Sequence, residues 1–177
     1  MISKTKLYFA KARPEAILPT KRESDAGYDL YCCVKEDEIE ITPNRIKMIP
    51  TGIHSAFDSN YCMLVEERSS SGSKGLSKRC GVVDSSYRGE INVLINNTTN
   101  KTIIISRYPD KTKAELQEGM TDSNYVDNNF TIYPMDKGIA QAVMVVVPQL
   151  QTEEISLDEL KAIPSERGEG KMGSSGK

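Results

Sequence analysis

The sequence contains few of the side chains from which metal centres and hydrolase triads are usually built. Its 177 residues include no tryptophan, a single histidine (His54) and four cysteines, with no C-x-x-C spacing. A tetrahedral zinc site would need nearly all of the histidine and cysteine side chains to converge. A Ser/His/Asp triad would depend on His54, which lies in TGIHSAF, a stretch typical of strand and turn. Adjacent Cys32 and Cys33 would point to opposite faces of a strand, and we expect reduced, partly buried cysteines.

A strong charge of either sign and a long apolar run are both missing. The formal net charge is -2, so the chain lacks a basic nucleic-acid footprint and we expect no nucleic-acid partner. No apolar stretch reaches the roughly 18 residues of a membrane span, so we expect no membrane partner. Residues 1–19 alternate charged and apolar side chains without an uninterrupted apolar region. This pattern is not that of a signal peptide, and we expect a protein that is not secreted.

Most of the chain consists of short runs of β-branched and aromatic residues separated by Gly, Pro, Asn, Asp and Ser. These runs predict strands at residues 4–10, 26–33, 38–41, 45–51, 61–66, 91–96, 102–106, 131–133 and 140–148. Such a pattern predicts an all-β fold, a sandwich or barrel of the jelly-roll type. The last run contains VMVVVP (143–148), which predicts a strand buried on both sides, as in the core of an oligomer.

Two polar segments interrupt this pattern. Residues 107–130 predict a long, turn-rich excursion, with one or two helical turns at 111–118. Residues 164–177 are rich in glycine and serine and predict a flexible C-terminal tail, preceded by a short helix with Ser156 as its N-cap. We therefore divide the chain into a β domain at 1–163, with 107–130 as an insertion, and a tail at 164–177.

Two stretches have the composition of an anion-binding loop. Residues 68–72 (RSSSG) place a guanidinium beside hydroxyl donors and a flexible backbone, which suits phosphate oxygens. The tail combines Arg167 with glycine amides and serine hydroxyls, but it lacks the GK[ST] ending of a P-loop. Each stretch alone is a weak indication. Asp84, in GVVD, fits either a carboxylate at the edge of a site or a turn residue bonded to its own backbone.

Five stretches taken together carry a more specific signal. In chain order they are DAGYDL (25–30), RSSSGSKG (68–75), GVVDSSYRGEI (81–91), GIAQ (138–141) and RGEGKMGSSG (167–176). These stretches, in this order, resemble the five motifs of the trimeric dUTP pyrophosphatase (dUTPase) family. The third and fifth are long and specific. The resemblance covers about residues 4–177 apart from the insertion, which is of a kind seen in some viral and phage members.

The resemblance implies a jelly-roll-like β subunit assembled as a homotrimer, in which each active site draws motifs from several subunits. The implied reaction is hydrolysis of dUTP to dUMP and pyrophosphate with Mg²⁺ on the triphosphate. Such an enzyme keeps uracil out of DNA and supplies dUMP for thymidylate synthesis. The implied location is the cytoplasm, or the host-cell cytoplasm or nucleus for a viral protein.

The resemblance also implies roles for individual residues. Asp84 orients and deprotonates the water that attacks the α-phosphorus, and Tyr87 packs on the deoxyribose and excludes a 2′-hydroxyl. Asp29 lies near Mg²⁺, indirectly, through water or a neighbouring subunit's network. The other implied substrate contacts are a uracil-reading hairpin with Gly81, Val82, Val83 and Asn92, phosphate contacts from Arg68, Ser69, Ser70 and Gln141, and a closing tail with Arg167, Met172, Gly173 and Ser174.

The sequence departs from the family pattern at several places. Glu67 stands where the family usually has Pro, Lys78 lies near the place of an Asn, and Met172 replaces an aromatic residue. The fourth motif is preceded by Asp-Lys where Gly-Asp before a basic residue is usual. Two alternatives stay open: a dCTP deaminase or bifunctional relative of the same fold, and a dUTPase that also binds a protein through residues 107–130. The glycine-rich fifth motif favours a dUTPase.

Overall fold

The structure, a computed structural model, describes residues 6–79 and 81–169. Alternating and apolar runs form short strands, as expected for half-buried or buried sheet segments. Their bounds are β1 Tyr8–Lys11, β2 Gly27–Leu30, β3 Glu38–Ile41, β4 Ile46–Pro50, β5 Ile53–Ala56, β6 Tyr61–Glu66, β7 Leu76–Arg79, β8 Val82–Val83, β9 Asn92–Asn97, β10 Thr102–Ser106, β11 Phe130–Pro134 and β12 Ala140–Val146. The helices are α1 Ser69–Gly72, α2 Pro109–Gln117, α3 Tyr125–Asn129 and α4 Leu157–Ala162.

Within residues 6–79 and 81–169, the strands pair into four small sheets. Their orders are β1-β5, β11-β10-β3, β2-β12-β6-β8 and β4-β9-β7. The pairs are antiparallel except for β10 and β11, which run parallel. Strand β9 shows the expected alternation, since Val93, Ile95 and Asn97 are buried while their neighbours are partly exposed. The all-β prediction is confirmed, and the runs at 38–41, 61–66 and 102–106 match their strands residue for residue.

The chain divides into two compact units, one ending at Val147 and one beginning at Pro148. The core of the first unit is mainly aliphatic, with fully buried side chains that include Leu30, Ile41, Ile53, Met63, Ile95, Ile105 and the aromatic Tyr133. The division comes earlier than the boundary at 163 drawn from composition. The boundary at 163 also marked off a tail that is predicted to close over substrate, and this role of the tail stays a prediction.

The second unit contains α4, which begins at a complete capping box. The Ser156 hydroxyl accepts a hydrogen bond from the Glu159 amide, and the Glu159 carboxylate accepts one from the Ser156 amide. The predicted N-cap at Ser156 is therefore confirmed. None of the helices in the described part of the chain is long and apolar enough to cross a membrane.

The predicted excursion at 107–130 is wrong as a turn-rich loop, although its helical turns are confirmed. The segment forms α2 and α3 and crosses from the end of β10 to the start of β11. Parallel neighbours need such a crossover, because the chain must return to the same end of the sheet. Thr112 of α2 and Val126 of α3 are buried, so the segment packs onto the β unit.

Burial of residues 143–147 on both sides, predicted for the core of an oligomer, is not reached within a single chain, and for an oligomer it stays a prediction. Val145 is 37% exposed and Val146 is 65% exposed. The reason is sheet geometry: β2 covers β12 only as far as Val143, while β6 continues alongside it to Val146. The end of β12 therefore has one neighbouring strand.

The opposite-face prediction for Cys32 and Cys33 is also wrong. Strand β2 ends at Leu30, and both thiols, which are free, lie buried in the segment that follows. Burial raises the pKa of the Cys32 thiol to about 12. This cysteine is therefore a neutral core side chain at physiological pH, as expected for a reduced, structural thiol.

Candidate active site

A cavity of about 670 Å³ joins residues from three of the five motif stretches. It is called the wide cavity here, and it is lined by Thr20, Lys21, Arg22, Asp25, Ala26, Gly27, Asp29, Arg68, Ser69, Ser70 and Gln141. Strand pairing brings the stretches together, because Gln141 on β12 lies opposite Asp29 on β2 and opposite Glu66 on β6. Arg68, Ser69 and Ser70 follow directly after β6. The predicted phosphate contacts at 68–70 and 141 thus share one cavity with Asp29.

Arg68 is held on several sides within the wide cavity. Its Nε lies 2.7 Å from Asp29 Oδ1, and its Nη1 donates to the Gly138 carbonyl at 2.8 Å and to Ser70 Oγ at 3.1 Å. Gly138 leaves room for this arrangement, since an added Cβ would lie 3.2 Å from both Arg68 and Asp29. The guanidinium is therefore oriented by the protein before any ligand binds, which lowers the entropic cost of a contact with an anion.

Gln141 and Glu67 are also held in place by hydrogen bonds, beside the wide cavity. Gln141 Nε2 donates to the Glu67 carbonyl at 2.7 Å. The Glu67 carboxylate accepts hydrogen bonds from Ser77 Oγ at 2.8 Å and from the Lys78 amide at 3.0 Å. Sequence reasoning noted Glu67 as a departure from the family but missed this role, because a contact with β7 leaves no periodic signal in the sequence.

A basic loop before β2 completes the rim of the wide cavity. Arg22 bonds Asp25 through its amide at 3.1 Å and its Nε at 3.0 Å, and these contacts hold the pKa of the Asp25 carboxyl below its ordinary value. Lys21 Nζ donates to the Asp25 carbonyl at 2.7 Å. Sequence reasoning missed Thr20, Lys21 and Arg22. The signal available was the pair of cations just before DAGYDL.

A smaller cavity of about 290 Å³ gathers the third motif stretch. It is called the narrow cavity, and it is lined by Met48, Val65, Gly81, Val82, Val83, Asp84, Tyr87, Glu90, Ile91 and Asn92. The predicted uracil-reading residues are therefore together. The predicted hairpin is wrong, however: β8 pairs with β6, whereas β9 pairs with β4 and β7. Residues 81–92 thus link two different sheets.

Main-chain groups shape the narrow cavity. The Val65 amide donates to the Gly81 carbonyl at 2.7 Å. Gly81 has a φ of +144°, and an added Cβ would lie 2.6 Å from the Val65 carbonyl oxygen, so no larger residue fits without a shift of the backbone. Gly81 therefore fixes how closely this segment approaches β6.

Asp84 presents its carboxylate to solvent at this cavity. Asp84 begins a turn, because its carbonyl accepts a hydrogen bond from the Tyr87 amide at 3.1 Å, but the predicted bond from its side chain to its own backbone is absent from the described residues. Within residues 6–79 and 81–169, its carboxylate has no hydrogen bond or ion pair. The side chain is exposed and is therefore available to a ligand or water.

Tyr87 and Glu90 brace the same loop. Tyr87 Oη donates to the Glu90 carbonyl at 3.0 Å. Glu90 Oε1 accepts hydrogen bonds from Arg13 Nη2 at 2.6 Å and from the Gly52 amide at 2.6 Å. A hydrogen bond to Cys33, together with the paired Glu90 carboxylate, raises the pKa of the Arg13 guanidinium. Arg13 and Glu90 were missed from the sequence, where they lie far apart.

The wide and narrow cavities have no lining residue in common among the described residues. Arg167 belongs to the second unit. The predicted tail contacts Met172, Gly173 and Ser174 lie outside the described residues. In the described part of the chain, no group of three or more His, Cys, Asp or Glu side chains is arranged to hold a metal ion.

The chain is similar in sequence to known proteins. The sequence model of the dUTPase family matches residues 13–109. The deoxyuridine 5'-triphosphate nucleotidohydrolase of Nautilia profundicola is 30% identical over 97% of this chain and 99% of its own length. The enzyme of the same name from Gloeobacter violaceus is 32% identical over 90% of this chain and 88% of its own length. The chain also matches the Pol polyprotein of caprine arthritis encephalitis virus, at 35% identity over 57% of this chain, but spans only 9% of that polyprotein.

Solved structures show the same fold. A Staphylococcus bacteriophage 80alpha dUTPase with dUpNHpp superimposes with a TM-score of 0.67 at 22% identity, covering 97% of this chain and 99% of that one. EIAV dUTPase gives a TM-score of 0.60 at 20% identity, covering 86% and 98%. A phage phi11 dUTPase, described with a structural Mg(II) ion, gives 0.61 at 18% identity, covering 85% and 96%. From the sequence match and this shared fold, the chain belongs to the dUTPase family.

Proposed function

We propose that the protein hydrolyses dUTP to dUMP and pyrophosphate. The observation that carries the proposal is the convergence of Arg68, Ser69, Ser70 and Gln141 on the wide cavity from stretches distant in the chain. A guanidinium fork with hydroxyl and amide donors suits a polyphosphate, because several charge-assisted hydrogen bonds can form at once. Such donors stabilise charge that shifts toward the leaving pyrophosphate.

Asp84 is proposed as the general base. Its carboxylate is exposed and has no protein partner within the described residues, so it can accept a hydrogen bond from a water molecule. In the proposed step, Asp84 takes a proton from this water as the water oxygen bonds to the α-phosphorus. The bond from that phosphorus to the bridging oxygen breaks, and pyrophosphate leaves. A positioned base of this kind contributes roughly 10²–10⁴-fold to the rate.

The narrow cavity is proposed to hold the deoxyuridine. Val82, Val83 and the main chain of 81–92 offer an apolar slot with amide and carbonyl groups, which suits a flat pyrimidine. Tyr87 is proposed to fill the space of a 2′-hydroxyl. Its hydroxyl bond to the Glu90 carbonyl holds the ring, which supports exclusion by shape.

One active site is proposed to combine the wide cavity of one copy with the narrow cavity of another, in a homotrimer. Two observations support this assembly: the cavities share no lining residue among those described, and Val145 and Val146 leave an apolar strand end exposed. Arg167, Met172, Gly173 and Ser174 are proposed to close over the bound nucleotide.

Magnesium is proposed to bind together with the substrate, on its phosphates. The donor set fits: Asp25 and Asp29 supply hard oxygens beside Arg68, and Mg²⁺ keeps several waters while binding phosphates. Bound there, Mg²⁺ would neutralise charge on the triphosphate. Asp29 would hold it indirectly, through water, because Asp29 Oδ1 already pairs with Arg68.

Pyrophosphate release from dUTP, dTTP, UTP and dCTP tests the proposed reaction. We expect turnover of dUTP well above the other three, and no ammonia from dCTP. Ammonia release from dCTP would instead favour the deaminase alternative. Failure to hydrolyse dUTP in the presence of Mg²⁺ would contradict the proposal.

A protein partner for residues 107–130 is a separate proposal, supported by the exposed side chains of Tyr108 and Met120. Deleting the segment is a poor test, because it joins two parallel strands. The sharper test is a pull-down with Tyr108→Ala and Met120→Ser, which should lose a partner while dUTP turnover stays unchanged.

A further inference from the structure

We infer that Glu67 is a positioning residue for the polyphosphate, clamping the turn that carries Arg68, Ser69 and Ser70 onto β7. The inference rests on the proposed function of the wide cavity. Glu67 is absent from the described lining of that cavity, so it acts through its neighbours and not by touching the substrate.

The turn needs support from outside itself. Helix α1 has only four residues, and its N-cap residue Arg68 makes no side-chain capping bond in the described structure. The Arg68 side chain points away to Asp29 and Gly138. A single helical turn is not stable by itself, because nucleation fixes several residues for one hydrogen bond.

The Glu67 side chain supplies that support. Glu67 lies directly before the turn in the chain, and its Oε1 accepts hydrogen bonds from Ser77 Oγ and the Lys78 amide on β7. A Cβ added to Gly72 would lie 3.2 Å from Glu67 Oε2, so the carboxylate also lies against the end of α1. One side chain thus contacts the end of the turn and the strand behind it.

The main chain of Glu67 extends the clamp to β12. Its carbonyl accepts the hydrogen bond of Gln141 Nε2, and Arg68 is the next residue in the chain. A shift of Glu67 would therefore move two of the proposed phosphate donors together. The two hydrogen bonds also hold the negative carboxylate toward β7, which limits its repulsion of a triphosphate.

The test compares Glu67→Ala with Glu67→Gln and a matched neighbour, Glu66→Ala. Glu67→Ala should raise the KM for dUTP about tenfold, because displaced donors bind a polyphosphate less well. Inhibition by dUMP should stay unchanged, since dUMP has no β- or γ-phosphate. Glu67→Gln should stay within about threefold of wild type, because its amide oxygen can accept the same two bonds. Glu66 pairs with the Lys78 side chain at 3.2 Å, a partly exposed contact away from the cavity lining whose loss should have little effect.

Two further measurements separate this inference from the proposed function. Binding of inorganic triphosphate, measured by calorimetry, should be about tenfold weaker in Glu67→Ala than in the wild type. Ser77→Ala should weaken this binding less. The double variant of Glu67→Ala with Ser77→Ala should bind triphosphate no more weakly than Glu67→Ala alone. Unchanged triphosphate binding in Glu67→Ala, or no triphosphate binding by the wild type, would overturn the inference. Wild-type protein that binds triphosphate but does not hydrolyse dUTP would overturn the proposed function alone.

Discussion

The wide and narrow cavities are held in shape by different chemical groups. In the wide cavity, charged side chains bond one another and the main chain, as in the Arg68–Asp29 pair. In the narrow cavity, main-chain carbonyls of Gly81, Asp84 and Glu90 accept bonds that fix the loop, and the Arg13–Glu90 ion pair lies behind it, at its end. A charge-rich wall suits a polyphosphate, whereas a wall of backbone suits an uncharged base that is recognised by shape. Side-chain substitutions should therefore act differently in the two cavities.

The largest effect is expected at the one exposed carboxylate of the narrow cavity. Asp84→Asn keeps the shape of the side chain but cannot take a proton from water, so kcat should fall on the order of 10²–10⁴-fold. Steady-state kinetics with dUTP should show KM within a few-fold of wild type. Turnover within a few-fold of wild type would show that Asp84 is not the base.

A smaller effect is expected from Arg68→Lys in the wide cavity. Lysine keeps the charge but cannot bond Asp29, Gly138 and Ser70 at once, so kcat/KM for dUTP should fall about 10–100-fold. The control is the thermal midpoint, which should change little because Arg68 is only partly buried. An equally active lysine variant would mean that charge alone, without the fork, is sufficient in this cavity.

Discrimination between ribose and deoxyribose tests the narrow cavity. Tyr87→Ala should raise the ratio of kcat/KM for UTP over dUTP about tenfold, because the space for a 2′-hydroxyl opens. Tyr87→Phe keeps the ring and loses only the bond to the Glu90 carbonyl, so its ratio should stay near wild type. An equal ratio of kcat/KM for UTP over dUTP in the wild type, Tyr87→Ala and Tyr87→Phe would contradict this role of Tyr87.

The smallest effect concerns the tail. Met172→Phe should tighten binding of a non-hydrolysable dUTP analogue by about 1 kcal/mol, because an aromatic ring covers more of the base than a thioether. Isothermal titration of both forms against one analogue measures this difference. Equal or weaker affinity in the phenylalanine variant would show that Met172 does not cover the base.

Sequence reasoning predicted those parts of the protein whose signal is local. Strand β9 could be predicted because its burial alternates, and many residues of both cavities could be predicted because they lie in compact motifs. The Arg13–Glu90 ion pair and the Glu67 contacts with β7 could not, since a long-range pair of charges leaves no periodic pattern. The hairpin at 81–92 was predicted wrongly for a related reason: the partner of a two-residue strand is decided by tertiary packing.

Mixing two inactive variants tests most directly whether the two cavities meet between copies. Arg68→Ala damages the wide cavity, and Asp84→Asn damages the narrow cavity. Co-refolded in equal amounts, the pair should recover about a quarter of wild-type dUTP turnover, because in random trimers that fraction of sites receives both intact cavities. Each variant refolded alone is the control and should stay inactive. No recovery in mixed trimers confirmed by mass spectrometry would contradict the account, because it would place both cavities of a site in one copy.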